Sequence, residues 1–424
     1  MKLLFVIYSY YPYYDASTNC LNNVIKYMLS RNEEIHVLSM KYDFNLKENE
    51  EYEKVNIHRV FNLYGTSFGK FLKEYNENEK NFLKRYIKIF SIAVFKVFRR
   101  IEKLFQKGSV DTYEKKLLLK KIEYLNKEHN FDSIISVSEV FCTSMATAEY
   151  FDKCKSKKRT KFLIYMLDPF FKDESIRLKY KKEDKKIEEY VFNKADKIFT
   201  TDLIYDECKK NKSINLEKIN VIKFPLLVEH KIQSCCDDIE LDKNYINCVY
   251  VGRLYKTIRR PEYLLSIFSK INKNKKIRLV IIGSGMEEDL EKYKTEMGEQ
   301  LCIYKEVSKE AAFNAMLNSN ILINIGNTIL NQMPSKIIDY ISMGKPIINL
   351  YKIDNCPTLK YTKDYELALN IKEGQDITKS LIKNIEEFCI KNKENKVDFE
   401  KLRSIYKECT PEYVSKKFME IIKS

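Results

Sequence analysis

Asn331-Gln332-Met333-Pro334-Ser335-Lys336-Ile337-Ile338-Asp339-Tyr340, closed by Gly344-Lys345-Pro346, is the stretch that decides the fold. It follows an apolar run, Ile321 to Ile325, that reads as a buried strand. Pro334 fits the first turn of a helix and Gly344 fits its end. A helix that opens just past a strand points unpaired N–H groups into the crevice of an α/β sheet, where phosphates bind. Asp339 stands eight positions after Asn331. The two can therefore address one ligand across about two helical turns.

Further signals lie upstream. Val251-Gly252-Arg253-Leu254 is followed by Arg259 and by Pro261-Glu262-Tyr263-Leu264-Leu265. Leu279-Val280-Ile281-Ile282 runs into Gly283-Ser284-Gly285, a strand ending in a glycine turn. A dinucleotide fingerprint would need a third glycine at position 288, where Glu288 stands, so the turn reads as one beside a nucleotide base. Ala195-Asp196-Lys197-Ile198-Phe199-Thr200-Thr201 reads as another strand.

Taken in order, these segments resemble the nucleotide-sugar signature of GT-B glycosyltransferases, in particular the large retaining family 4. That family carries Glu, seven residues, Glu, then a small-residue helix ending in Gly-x-Pro. The resemblance covers most of the chain and is firmest in its carboxy-terminal half. It implies an α/β fold of two doubly wound, Rossmann-like domains facing a central cleft. It also implies a glycosyltransferase that takes a nucleotide-diphosphate sugar as donor and a glycan or lipid-linked molecule as acceptor. Retention of anomeric configuration follows from the resemblance alone. No cofactor is implied.

The bulk composition fits that expectation. At 424 residues the chain is long for one domain and fits two. No apolar stretch is long enough to span a bilayer, and Met1-Lys2-Leu3-Leu4 opens no leader segment, which points to a cytoplasmic enzyme. The eleven cysteines are scattered without ligand spacing and read as reduced thiols filling cores. The histidines, at positions 36, 58, 129 and 230, form no cluster in the sequence. The net charge of +15 leans to the amino-terminal half. No nucleic-acid recognition motif accompanies it, so an anionic membrane surface or a phosphate-bearing acceptor is the better partner. Abundant Lys, Asn, Ile and Tyr throughout leave a purely compositional origin for the charge open.

Strands are expected at Leu3–Ile7, Ile35–Met40, Val55–Phe61, Ser133–Val137, Lys161–Met166, Lys197–Thr201 and Lys218–Lys223. A second series follows at Asn247–Val251, Arg278–Ile282, Leu301–Tyr304, Ile321–Ile325 and Pro346–Asn349. An amino-terminal, acceptor-binding domain is expected over 1–228, with a helical insertion at about 70–128. A linker over 229–243 and a nucleotide-sugar domain over 244–410 follow, and the resemblance has the last helix, 411–424, packing back on the first domain.

Sugar transfer builds negative charge on the departing diphosphate. A metal held by an Asp-x-Asp pair, or fixed cations and helix N-termini, can stabilise it. The chain contains no Asp-x-Asp, so no metal site is expected there and the fixed-cation route is favoured. Arg253 and Arg259 are the catalytic cation candidates, since the planar guanidinium suits phosphate oxygens; Lys256 competes with Arg259. On the resemblance Asp339 would accept the ribose hydroxyls, and Asn331 replaces the family's first Glu. Gly252, Gly283, Met333, Pro334, Ser335 and Lys336 complete the donor site. In the first domain Leu167-Asp168-Pro169 stands where many relatives have a His before an acidic residue and Pro, which leaves Asp168 as a candidate near the reaction centre. The loop Tyr8 to Asp15 carries five tyrosines, suited either to sugar faces or to packing. A segment over 82–107 separates apolar from basic residues at helical period and reads as an interfacial anchor or as an outer helix packed on the core. Two other readings remain open at this point: a sugar-nucleotide epimerase of similar fold, and a non-catalytic sugar-nucleotide or glycan-binding subunit.

Overall fold

The computed structural model describes residues 1–423 apart from 44, 62–85, 87–89, 91–92, 95–96, 103, 105, 107, 154–159, 171–177, 236, 238, 256–258, 306 and 328–334. The chain divides into two compact units, one of Met1–Lys223 with Val414–Ser424, the other of Phe224–Tyr413.

The first unit carries β1 (Lys2–Val6), β2 (Glu34–Lys41), β3 (Asn49–Tyr52), β4 (Val55–Phe61), β5 (Ser133–Val137), β6 (Lys161–Met166), β7 (Lys197–Thr200) and β8 (Ile219–Val221). They form one sheet in the order β3-β4-β2-β1-β5-β6-β7-β8. Every pairing is parallel except that of the edge strand β3 with β4. The near-continuous apolar runs of β1, β5 and β6 follow from burial on both faces, as a parallel sheet covered by helices requires. The order reverses between β1 and β5, and ligands of such sheets bind outside the carboxyl ends of the strands at that point. The last helix, Pro411–Lys423, lays Phe418 in a stack on Phe199, with centroids 3.7 Å apart, and edge-on to Tyr165. Lys417 Nζ donates to the Val221 carbonyl at 2.6 Å, and Ser415 Oγ to that of Val24 at 3.2 Å.

The second unit carries β9 (Ile246–Val251), β10 (Ile277–Ile282), β11 (Leu301–Tyr304), β12 (Ile321–Ile325), β13 (Ile347–Tyr351) and β14 (Ala368–Lys372). All are parallel, in the order β11-β10-β9-β12-β13-β14. This is the doubly wound order, reversing between β9 and β12. Asn324, Asn349 and Asn370 stand opposite one another on β12, β13 and β14; Asn324 Nδ2 donates to Asn349 Oδ1 at 2.7 Å, and Asn349 Nδ2 to Asn370 Oδ1 at 2.8 Å. Asn324 and Asn349 are buried, so this polar ladder fixes register: a slip of one residue would leave their amides unpaired in the core.

Candidate functional site

The reversal point of the second sheet gathers most of the described donor-site residues expected from sequence. Gly252 and Arg253 follow β9, Gly283 follows β10, and Ser335, Lys336 and Asp339 follow β12. The two glycine turns touch: a Cβ on Gly283, whose φ is +142°, would lie 2.3 Å from the Gly252 carbonyl oxygen. Glycine is thus required, and the backbone there is open to close approach by a ligand. A Cβ on Gly252 would in turn meet Lys336 Cε at 3.6 Å, which places the lysine stem against the β9 turn.

Arg259 is half-buried and donates Nε–H and Nη2–H to Asn327 Oδ1, at 3.2 and 2.9 Å. Asn327 is itself buried just past β12, so the guanidinium is held at the reversal point by the neighbouring strand. Arg253 is exposed, with its guanidinium 5.6 Å from the Tyr255 ring centre. Lys256, the competitor for the second cation, lies outside the described residues.

The helix expected to open at Pro334 spans Lys336–Ser342, with Ser335 at its N-cap making no side-chain capping bond. A helix so short has little macrodipole, so the positive charge at this point comes from side-chain cations instead. Asn331, Met333 and Pro334 lie outside the described residues. Burial pushes the Asp339 carboxyl up to about 6, against the pull of Lys336 and Lys309. Burial lowers the Lys336 ammonium, with Asp339 opposing and Arg259 adding to the shift. Lys336 thus feels both Asp339 and Arg259, and Lys309 also acts on Asp339, so cations outnumber the carboxylate in this group.

The first unit has its own polar cluster at the reversal between β1 and β5. Ser9, past β1, donates to the Glu139 carboxyl past β5, with distances of 3.1 and 3.3 Å to its two oxygens. Tyr42 Oη lies 3.2 Å from Ser9 Oγ. Asp15 caps the helix Ala16–Leu29, accepting from Thr18 N at 2.8 Å. Burial, then the adjacent Asp15 carboxylate, push Glu139 up to about 9. Glu139 is thus held protonated at neutral pH with its proton directed at Asp15, which leaves oxygen lone pairs to accept from a hydroxyl. Sequence reasoning missed it; an acidic residue just past a strand was the available signal.

Asp168 follows β6 and is half-buried, beside a buried Leu167. The loops past β5 and β6 are joined by the Phe141–Phe170 stack at 3.9 Å. The tyrosine loop is largely packed: Tyr10 is buried, Tyr11 stacks on Tyr52 at 3.6 Å, and Tyr8 donates to Glu114 at 2.9 Å. Tyr13 is exposed. The histidines, without a pattern in the sequence, come together in the fold at positions 36, 58 and 129.

Residues 246–382 match the family described as Glycosyl transferases group 1. Solved structures match the chain over its full length. Sucrose-phosphate synthase from Thermosynechococcus elongatus is 11% identical with a TM-score of 0.63, covering 100% of this chain and 98% of its own. HepE of Anabaena in complex with UDP is 11% identical with a TM-score of 0.60, covering 100% of both chains. The lipopolysaccharide outer core galactosyltransferase WaaB is 14% identical with a TM-score of 0.56, covering 100% of this chain and 99% of its own. No curated protein sequence matches the chain. With the group 1 region lying on the sheet that carries Arg259, Lys336 and Asp339, the chain is a glycosyltransferase of GT-B fold.

Proposed function

We propose that the enzyme moves a sugar from a nucleotide-diphosphate sugar to a glycan or lipid-linked acceptor, without a metal at the transfer site and with retention. The observation that carries this reading is the placement of Arg259 and Lys336 with the Gly252 and Gly283 turns at one reversal point. The glycine turns let the diphosphate approach the backbone. Arg259, Lys336 and the exposed Arg253 stabilise the charge that develops as the glycosidic bond breaks. Asp339 accepts the ribose hydroxyls. On the family resemblance Asn331, Met333, Pro334 and Ser335 would add to donor recognition.

Retention requires the acceptor hydroxyl to attack from the side the leaving group departs, its proton passing to a phosphate oxygen. Glu139, neutral and hydrogen-bonded by Ser9, is placed in the first unit to hold an acceptor hydroxyl, and Asp168 lines the same sheet end. The acceptor belongs to a cell-surface polysaccharide made on the cytoplasmic side of the membrane, with the enzyme peripheral on its inner face. HepE is described bound to UDP and WaaB as a galactosyltransferase, which supports this substrate class. Among the described residues no helix is long and apolar enough to cross a membrane.

The test is a panel of nucleotide-diphosphate sugars followed by mass spectrometry for slow hydrolysis, with and without chelator. One donor should be consumed at the same rate in both conditions. Consumption of none, with free nucleoside diphosphate still bound, would overturn the transferase mechanism; loss of turnover with chelator would overturn the metal-free route.

A further inference from the structure

We propose that His36, His58 and His129 form a binding site for a divalent transition cation, zinc above all, in the amino-terminal unit. His36 is on β2 and His58 on β4, parallel neighbours. The register sets His36 opposite Asn56 and Leu38 opposite His58, so the two imidazoles share one face of the sheet. His129 is the last residue of the helix Thr112–His129. One ring nitrogen from each of the three lies within 4.8 Å of the others. Two nitrogens bound to one tetrahedral zinc at about 2.0–2.1 Å lie about 3.3 Å apart, so modest ring motion closes the set.

The hydrogen bonds around the pair give a stronger argument. His36 Nε2 lies 2.9 Å from Glu34 Oε1, and His58 Nδ1 lies 2.8 Å from Asn49 Oδ1. A carboxylate and an amide oxygen only accept, so each of those ring nitrogens carries the proton. The remaining nitrogens, His36 Nδ1 and His58 Nε2, then face each other with lone pairs at 2.9 Å. Two lone pairs at that distance repel unless something positive stands between them. A divalent cation removes the conflict and recruits His129 as third ligand, with water in the fourth position. The outer partners are those metal-bound imidazoles use: a carboxylate on one distal nitrogen and an amide oxygen on the other. Three imidazoles suit zinc, copper or nickel better than magnesium or calcium.

His36 is near the amino-terminal end of β2, whereas ligands of doubly wound sheets bind past the carboxyl ends. The cation would therefore tie β2, β4 and the helix end together and take no part in sugar transfer. The site stands whether or not the proposed donor chemistry does.

Zinc titration of chelator-stripped protein by calorimetry, with cobalt as an optical probe, tests the site. The wild type should bind one tight equivalent and melt higher with zinc, and the cobalt spectrum should lack thiolate charge-transfer bands. His36→Gln and His58→Gln should abolish tight binding. His129→Gln leaves the buried pair intact, so it should fold and still lose tight binding. Glu34→Gln, at an exposed residue, should weaken affinity by about 10- to 100-fold. Tight binding unchanged by these substitutions would place the metal on cysteines and overturn the proposal. No tight zinc binding to wild type would overturn it too. That result would mean Asn49 turns its amide toward His58 and the rings share one N–H···N bond.

Discussion

Arg259 places two N–H donors on one oxygen of Asn327, so its guanidinium is oriented before any ligand arrives. Preorganised charge of this kind is worth most in catalysis, because nothing reorganises as the transition state forms. Arg259→Ala should lower turnover by about 100- to 1,000-fold, a loss of about 2.7–4 kcal/mol, with the fold intact by circular dichroism. Near-normal turnover would move the role to Lys256. Asp339 gives a pH signature. Its carboxyl is raised to about 6, so affinity for a nucleoside diphosphate should fall as pH drops through that value. The diphosphate titrates in the same range, so the difference between wild type and Asp339→Asn isolates the residue. Identical profiles would remove Asp339 from ribose binding. Glu139 behaves in the opposite sense. It holds its proton in the fold up to about 9 against 4.5 unfolded, so its stabilising contribution is full below 4.5 and is lost as pH rises through about 9. Urea midpoints of Glu139→Gln should decline less over that window than those of wild type. Parallel declines would show that Glu139 is ionised in the fold.

Among the elements, strands buried on both faces were legible because their sequences are unbroken apolar runs: Leu3-Leu4-Phe5-Val6, Ile134-Ile135 and Ile321-Leu322-Ile323 all lie where expected. Asn49–Tyr52 was not legible, since an edge strand carries Glu50 and Glu51 and buries no face. Ala368–Lys372 was hidden for a related reason, as its Asn370 serves the polar ladder and not the apolar core. The glycine turns and cations proposed for the donor site were legible because they sit beside strands in the sequence. Glu139 and the three histidines were not, because their meaning depends on residues such as Ser9 and Asn49 that only the fold brings near. Gly283→Ala tests the joined turns of β9 and β10. Its Cβ would strike the Gly252 carbonyl, and the strained backbone alone costs on the order of 1–3 kcal/mol. Denaturant midpoint and nucleotide affinity should fall together; unchanged affinity in the folded variant would separate the turn from the ligand.

At the scale of the whole molecule, a charge of +15 favours association with an anionic surface, and the segment 82–107 is the candidate contact. Tyr86, Phe90, Val94, Val97, Phe98, Ile101 and Leu104, all on its apolar side, are exposed, Phe90 by 71% and Leu104 by 78%. A helix packed on the enzyme's own core would bury that face, so these described side chains argue against the packed alternative. Lys84, Arg85, Lys88, Lys96 and Lys103 lie outside the described residues. Arg99 is engaged by Asp111 at 2.5 Å and by Glu102, so it is not a lipid contact and has to be left out of the basic face. We propose that this segment seats in the interface of an anionic bilayer, with apolar burial and phosphate attraction acting together. Co-sedimentation with liposomes should rise with anionic lipid content and weaken with salt, since exposed charges are screened beyond about 10 Å at 0.1 M ionic strength. Phe90→Ser with Leu104→Ser should reduce binding to every lipid mixture. Lys84→Gln with Arg85→Gln, Lys88→Gln and Lys96→Gln should remove the dependence on lipid charge and leave a weak residual affinity. Binding that ignores both sets of changes would move the anchor elsewhere. Dimers that dissociate on the Phe90→Ser and Leu104→Ser changes, without liposome binding, would assign the apolar face to a second copy of the chain instead.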